Sequence, residues 1–290
     1  SNIFCIFAGQ MKKSILLRGQ LVDFSRPRVM AIVNLSPDSF YTSYSVIDEA
    51  AFLVQIDTLL QEGADWLDLG ACSTRPGFIP VSSQEEWQLL RKGIEIIRHH
   101  WPKVPLSVDT FRVEIAEKAL SCGADMVNDV GIMKEDVTVW SSIANRGVPY
   151  ILTYSQEAVS TNIMSDMLHF FQERLDSLHR QGIADVVIDP GFGFAKTIQQ
   201  NYAILRQLDV LRTLNAPILV GVSRKSMLYK PLQTTPADVL PATVAAHTLA
   251  LERGADILRV HDVKAAVQAI TIYQLTHDVQ LSDTIQKQPR

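Results

Sequence analysis

Cysteine is scarce in this sequence, which has only Cys5, Cys72 and Cys122 among its 290 residues. These three residues lie far apart and form no CxxC pair, so the sequence indicates neither a disulfide framework nor a zinc knuckle. Such cysteine usage is typical of a protein kept in a reducing compartment. We therefore expect the chain to be cytoplasmic.

Long basic runs are also missing, and the formal net charge is −4 at pH 7. A nucleic-acid or anionic-membrane surface needs a basic face, so we expect neither partner. Residues 1–13 include a short apolar run without the basic segment of a signal peptide, and this run is too short to span a bilayer. We expect a frayed leader over residues 1–13, a polar tail over residues 279–290, and one domain in the whole chain, 1–290.

The sequence alternates between short runs rich in β-branched residues and segments whose apolar residues recur at helical spacing. Strand character is found over residues 28–34, 65–70, 105–110, 125–130, 149–154, 185–191, 217–223 and 256–261. Residues 48–61 and 113–121 have helical spacing, and Ser82 with Glu85 predicts a capping box. Eight strand and helix units in succession favour parallel pairing, which predicts an α/β fold, a (β/α)₈ TIM barrel.

A weak internal repeat supports this fold. Gly-Ala-Asp occurs at residues 63–65, 123–125 and 254–256, each time between a helical segment and a strand, where glycine can end the helix. Residues 14–25 predict a β-hairpin that closes the bottom of the barrel. An open doubly wound sheet is the competing fold, but the glycine-rich dinucleotide fingerprint is missing after the first strand.

Most of the predicted strands end in a polar or charged side chain. In a closed barrel these ends meet at one rim, where enzymes of this fold carry their active sites. The residues concerned are Asn34, Asp68, Asp109, Asn128, Asp129, Thr153, Asp189, Arg224, Lys225, Arg259 and His261.

Several of these residues also have a purely structural interpretation. Asp109 and the adjacent Thr110 are equally good caps for a helix expected near residue 111, and Asp68 can simply hydrogen-bond within the barrel mouth. Asn128 and Asp189 lie inside apolar strands, where an unpaired polar group costs on the order of 1–3 kcal/mol. Either buried water or a bound polar heterocycle would satisfy these two side chains.

Three segments at the predicted rim suggest anion binding. The loop NLSPDSF (34–40) contains a Pro-Asp turn that can order main-chain amides, and the loop CSTRPG (72–77) holds Arg75 beside a rigid proline. The segment SRKS (223–226) follows the seventh strand. We expect it to open a helix or loop whose amides and cations suit a carboxylate or phosphate.

Seven ordered motifs in this sequence resemble those of the dihydropteroate synthases: NLSPDSF, STRPG, SVDTFR, VNDVG, IDPGFGF, VGVSRKS and RVHDV. The resemblance covers residues 28–263. It implies a transferase of folate biosynthesis, usually a homodimer, with a (β/α)₈ barrel. Such an enzyme joins 6-hydroxymethyl-7,8-dihydropterin pyrophosphate to p-aminobenzoate and releases pyrophosphate with the assistance of Mg²⁺.

The resemblance also implies roles for individual residues of this chain. The pterin would contact Asp109, Asn128, Asp189, Phe194, Lys225 and Arg259. The p-aminobenzoate would contact Thr74, Arg75, Pro76, Phe194 and Ser226. The pyrophosphate would contact Asn34, Arg75, Arg259 and His261, and Asn34 would also hold the metal. Catalysis would depend on Asp109, Asp189, Lys225, Arg259 and His261.

A dissociative path is implied in the same way, with diphosphate leaving the pterin methylene before the amine attacks. Asp109 and Asp189 would stabilise the resulting cation, and Arg259 and His261 with Mg²⁺ would stabilise the departing anion. The path requires no strong general base.

The chain departs from the family pattern at several positions. Residues 41–43 are Tyr-Thr-Ser where Asp-Gly-Gly is common, Cys72 stands where an acidic residue is common, Ala195 replaces a glycine, and residues 153–154 replace a frequent Met-His pair. Two other functions stay open. One is a pterin-dependent methyltransferase, which STRPG and SRKS disfavour, and the other is a catalytically silent pterin-binding paralogue, which the changes in the first loop allow.

Overall fold

The computed structural model describes residues 13–35, 48–71, 81–130 and 137–277. Two strands pair as an antiparallel hairpin, β1 (Ser14–Leu17) and β2 (Gln20–Asp23). A second sheet contains β3 (Arg28–Asn34), β4 (Trp66–Gly70), β5 (Leu106–Asp109), β6 (Met126–Asp129), β7 (Tyr150–Thr153), β8 (Val186–Asp189), β9 (Leu219–Val220) and β10 (Ile257–Val260).

Helices follow most of these strands. The α-helices are α1 (Glu49–Gln61), α2 (Ser83–His100), α3 (Val113–Cys122), α4 (Val137–Arg146), α5 (Ile163–Arg180), α6 (Ile198–Arg206), α7 (Ser226–Tyr229), α8 (Leu240–Glu252) and α9 (Val263–His277), with a 3₁₀ helix at Leu208–Leu214. No helix within the described ranges is long and apolar enough to cross a bilayer.

The larger sheet closes into a barrel. Its parallel strands follow in the order β8-β7-β6-β5-β4-β3-β10-β9, and a parallel bridge between Ile188 and Ile218 joins the two ends. The main-chain amide of Ile188 donates to the carbonyl oxygen of Pro217 at 2.9 Å across the same seam. The predicted (β/α)₈ barrel is therefore confirmed, and the open doubly wound sheet was the wrong alternative.

Local signals in the sequence located the starts of two helices. Ser82 and Glu85 form the predicted capping box at the start of α2, and Asp48 caps α1. The helix expected near residue 111 instead begins at Val113, so neither Asp109 nor Thr110 caps it. The Thr110 hydroxyl instead accepts from the main-chain N–H of Arg112 at 3.2 Å and donates to the buried carboxylate of Glu86 at 2.6 Å.

The lower part of the barrel interior is an apolar floor. We define the floor layer as Met30, Trp66, Met126, Ile151, Val187, Leu219 and Ile257. Ile15 and Leu17 of the hairpin pack against this layer and are 1% and 2% exposed. The hairpin thus closes the bottom of the barrel, as the sequence predicted.

The Gly-Ala-Asp repeats anchor this closure. Lys13 pairs with Asp256 at 2.8 Å, and Arg18 pairs with Asp125 at 3.0 Å. Both aspartates also accept a main-chain N–H from a neighbouring strand segment. Each repeat therefore ends a helix at its glycine. Its aspartate then links neighbouring segments at the bottom of the barrel through hydrogen bonds and ion pairs.

Candidate active site

The barrel interior changes from apolar to polar one inward position above the floor layer. Successive side chains of a strand point to opposite faces, so the residue two places beyond a floor residue also points inward. On five strands this residue is polar, namely Asp68, Asn128, Thr153, Asp189 and Arg259. Except for Arg259, these side chains belong to buried residues, and their polar atoms need partners inside the barrel.

Arg259 lies between two carboxylates at the centre of this polar layer. Its Nε donates to Asp68 Oδ2 and its Nη2 donates to Asp109 Oδ2, both at 2.6 Å. Burial acts to lower the pKa of Arg259, but the two carboxylates outweigh it and raise that pKa overall. Arg259 is therefore a permanent cation that links β4, β5 and β10.

Asn128 extends the same network. Its Nδ2 donates to Asp68 Oδ2 at 2.9 Å. Asn128 Oδ1, Asp68 Oδ1 and Thr153 Oγ1 are buried and have no hydrogen-bond partner among the residues that the structure describes. Each such atom is destabilising unless water or a ligand pairs with it. The expectation that Asn128 needs a partner from outside the strands is consistent with this arrangement.

Asp189 contributes to the same polar layer from β8. Its Oδ1 accepts from the main-chain N–H of Gly191 at 2.7 Å. Burial raises the pKa of Asp189, and the Gly191 N–H, the Lys225 ammonium and Arg259 oppose that rise. The influence of Lys225 and Arg259 on one carboxylate places residues from three parts of the chain around a common space.

Lys225 and Phe194 form one side of this space. The Lys225 ammonium lies 4.7 Å from the centroid of the Phe194 ring, a cation–π arrangement. Gly193 makes room for it, since a Cβ there would lie 3.0 Å from Lys225 Cδ. The site thus presents an aromatic face and a cation beside the carboxylates.

Asp109 has an unusual protonation equilibrium. Burial raises its pKa to about 7; Arg259 and Lys225 oppose the rise, whereas Asp68 adds to it. A carboxyl group that titrates near neutral pH among other polar side chains is a feature of catalytic sites.

The segment after β9 is built differently from the prediction. Arg224 is held by Asp262 through two hydrogen bonds, at 2.9 Å and 2.5 Å, so its cation is already paired. The Ser223 hydroxyl lies 3.0 Å from His261 Nδ1. Of this segment, Lys225 faces the carboxylates, and Ser226 begins α7, a helix of only four residues.

Lys196 is a participant that the sequence did not reveal. Its ammonium donates to the carbonyl oxygens of Tyr154, Gly191 and Phe194 at 2.7, 2.9 and 3.0 Å. Burial lowers its pKa to about 8. A single lysine in a loop carries no local signal for this role, which depends on loops after two different strands.

The structure describes most, but not all, of the predicted site residues. Asp109, Asn128, Asp189, Phe194, Lys225, Arg259 and His261 lie at the mouth or in the polar layer, and Asn34 is exposed at the end of β3. Ser226 lies at the same end of the barrel. Thr74, Arg75 and Pro76 lie outside the described residues, as do Cys72 and residues 36–47, so their predicted roles remain predictions. Asp68, left as a structural residue in the sequence, lies at the centre of the network.

Comparisons with known proteins agree with this geometry. Residues 30–261 match the family described as "Pterin binding enzyme". The chain is 34% identical over 275 residues to the dihydropteroate synthase of Escherichia coli (strain K12), covering 90% of this chain and 96% of that protein.

Solved structures show the same similarity. A structure of Xanthomonas albilineans dihydropteroate synthase with 4-aminobenzoic acid has a TM-score of 0.84 and 35% identity, covering 96% of this chain and 100% of that one. A structure of the Yersinia pestis dihydropteroate synthase with a sulfonamide drug complex has a TM-score of 0.83 and 34% identity, covering 91% and 99%.

Proposed function

Since this chain belongs to the dihydropteroate synthases of the pterin binding enzyme family, transferases of folate biosynthesis, we propose how its residues join a dihydropterin pyrophosphate to p-aminobenzoate. One observation carries the proposal. Asp109, Asn128, Asp189 and Arg259, drawn from four strands, converge on one buried polar layer above a closed apolar floor.

The pterin ring would lie against this polar layer. A pterin has a row of N–H donors along one edge, and the layer offers acceptors in Asn128 Oδ1 and the Asp189 carboxylate. Lys225 would donate to the ring's carbonyl side. Phe194 would contribute an aromatic surface near the junction of the two substrates.

The diphosphate would lie above the ring, near the ends of β3 and β10. These strands are neighbours in the barrel, which supports a shared diphosphate site for Asn34, Arg259 and His261 at their carboxyl ends. Mg²⁺ fits this position, because it prefers oxygen ligands and retains waters, and the Asn34 side chain is exposed. The described residues contain no cluster of three or more His, Cys, Asp or Glu side chains able to hold a metal ion. Asn34 would therefore be joined by diphosphate and water oxygens, and bound Mg²⁺ would neutralise charge on the leaving group.

The reaction would break the carbon–oxygen bond at the pterin methylene first. Asp109 and Asp189 would stabilise the positive charge that spreads over the dihydropterin, and Arg259 and His261 would hold the departing diphosphate. The amine nitrogen then forms the new carbon–nitrogen bond, and its surplus proton passes to solvent. Ser226 would bind the carboxylate of p-aminobenzoate, and Thr74, Arg75 and Pro76 would close over its ring, as the resemblance implies.

The direct test is a product assay with matched variants. The purified chain is incubated with the dihydropterin pyrophosphate, Mg²⁺ and p-aminobenzoate, and dihydropteroate and pyrophosphate are measured. We expect the wild type and Asp209→Asn, at an exposed position, to form both products, and Asp189→Asn to lose most of the activity. Pterin binding without product in the wild type would instead support a silent paralogue. The same assay with a sulfonamide should show competition with p-aminobenzoate.

We further propose a cytoplasmic homodimer. The helices α8 and α9 pack side by side and carry the exposed apolar side chains Leu249 and Ile272, which are 55% and 61% exposed. Sedimentation of the wild type and of Leu249→Asp tests this arrangement, since a charge at a buried dimer interface should yield monomers.

A further inference from the structure

Asp68 is fully buried in the polar layer, and the reaction described above gives it no role. One of its oxygens, Oδ2, accepts two hydrogen bonds, from Arg259 Nε at 2.6 Å and from Asn128 Nδ2 at 2.9 Å. The other, Oδ1, has no partner within the described part of the chain. Asp68 therefore contacts two residues of the proposed pterin site.

The charge of Asp68 determines which side of the Asn128 amide can face it. Asp68 forms an ion pair with the Arg259 guanidinium at 2.6 Å, and a carboxylate only accepts hydrogen bonds. The NH₂ group of Asn128 must therefore point towards Asp68, because the reversed amide would bring two oxygens together. Asn128 Oδ1 is directed elsewhere, and it is an acceptor without a partner among the described residues.

We propose that Asp68 is a positioning residue that holds Asn128 as an acceptor, so that the site selects a 2-amino pterin over the 2-oxo analogue. The inference rests on the proposed pterin site. An amino group on the ring donates to Asn128 Oδ1, whereas a ring carbonyl at the same position would oppose it. The selectivity for the amino group thus depends on Asp68 through the orientation that it imposes on Asn128.

The variant Asp68→Asn separates this role from simple pairing with Arg259. An asparagine at position 68 can donate its own NH₂ to Asn128 Oδ1, which lets the Asn128 amide turn over and present a donor to the ring. Weaker pairing of Arg259 lowers the affinity for both ring types alike. Only the turning of Asn128 changes the ratio of the two affinities.

The experiment is calorimetry on the full chain with 6-hydroxymethylpterin and 6-hydroxymethyllumazine, its 2-oxo analogue. We expect the wild type to prefer the pterin, and Asp68→Asn to reduce that preference at least about tenfold, or 1.4 kcal/mol. Asp65→Asn, directly before β4, is the matched control. Its carboxylate accepts from Val29 N at 2.8 Å at the barrel foot, so this variant should lose stability and retain the wild-type preference.

The outcomes are distinguishable. A wild type that binds neither ring contradicts the proposed pterin site itself. A wild type that prefers the pterin, together with a folded Asp68→Asn that keeps the same preference, overturns the positioning role. Should Asp68→Asn fail to fold, Asp68→Ala serves the same purpose, because alanine removes the acceptor that holds the Asn128 NH₂ group. Unchanged preference in that folded variant would likewise overturn the inference.

Discussion

Gly191 lies so close to the main chain of Tyr154 that a Cβ on Gly191 would be 2.2 Å from the Tyr154 carbonyl oxygen. The Lys196 ammonium donates to the carbonyl oxygens of both residues and so holds the two loops together. The Gly191 N–H in turn donates to Asp189. One tight main-chain contact therefore fixes the orientation of a proposed catalytic carboxylate.

Gly191→Ala should destabilise the protein and weaken pterin binding. The residue has a φ of 67°, which costs alanine roughly 1–2 kcal/mol, and the clash with rigid main chain adds to this cost. Gly147→Ala is the control, with a φ of 59° but nothing within 4 Å of the added Cβ. Urea denaturation should show a clearly larger loss for Gly191→Ala, and equal losses would contradict the structural role of the contact.

Asp109 should impose an acidic limb on the reaction rate. Its pKa is about 7, raised by burial, and the proposed mechanism requires its ionised form. The value of kcat/KM should therefore fall as pH drops below about 7, approaching tenfold per pH unit. In Asp109→Asn the rate should be lower at all pH values and this limb should be absent. An unchanged limb in the variant would assign the titration to another group or to the substrate.

His247 should make the fold sensitive to acid. It is buried in α8, neither ring nitrogen has a partner in the described ranges, and burial lowers its pKa to about 4. The unfolded chain binds this proton near pH 6.5, so between pH 6.5 and 4 the unfolded state carries more protons. Stability conferred by the neutral ring is thus present above pH 6.5 and is lost as pH falls to 4, by about 1.4 kcal/mol per pH unit.

His247→Leu isolates this contribution. The variant should show a flatter dependence of unfolding free energy on pH between 6.5 and 4, measured by urea titration at each pH. His169→Gln changes an exposed histidine and should follow the wild-type curve. A steep acid loss that persists in His247→Leu would refute the assignment.

Ala195 stands where the family commonly has glycine, and its φ is 44°. An L-residue in the left-handed region is strained, whereas glycine adopts it freely. Ala195→Gly should therefore raise the melting temperature, with a gain of roughly 0.5–1 kcal/mol after the extra entropy of the unfolded glycine chain is subtracted. Ala51→Gly in α1 is the control and should be destabilising, as glycine is in helices. Destabilisation by both variants would show that position 195 carries no strain.

The barrel could be predicted from the sequence because each strand and helix unit carries its own local signal. The strand predicted at residues 28–34 has those bounds in the structure, and the capping box of Ser82 and Glu85 is formed. The run over residues 217–223 was the exception, since only Leu219–Val220 pairs as a strand. An apolar run indicates burial, but it does not specify how many of its amides join the ladder.

The rim position of the site residues was also predictable, but their pairings were not. The parallel strands of a closed barrel bring Asp68, Asp109 and Arg259 together, yet no local pattern indicates that one guanidinium joins both carboxylates. Arg224 illustrates the same limit. The sequence suggested that it binds an anion, but its guanidinium is paired with Asp262, 38 residues further along the chain. Such partnerships depend on distances between strands, and sequence spacing does not encode them.

The hairpin closes one end of the barrel, so the substrates must reach the polar layer from the opposite end. A molecule that binds nearer the open end of the barrel therefore blocks the path to and from the polar layer. If the pterin lies on the polar layer, p-aminobenzoate arriving beforehand would obstruct it, so the two substrates should be admitted in sequence. Product-inhibition kinetics that fit random addition would contradict that order.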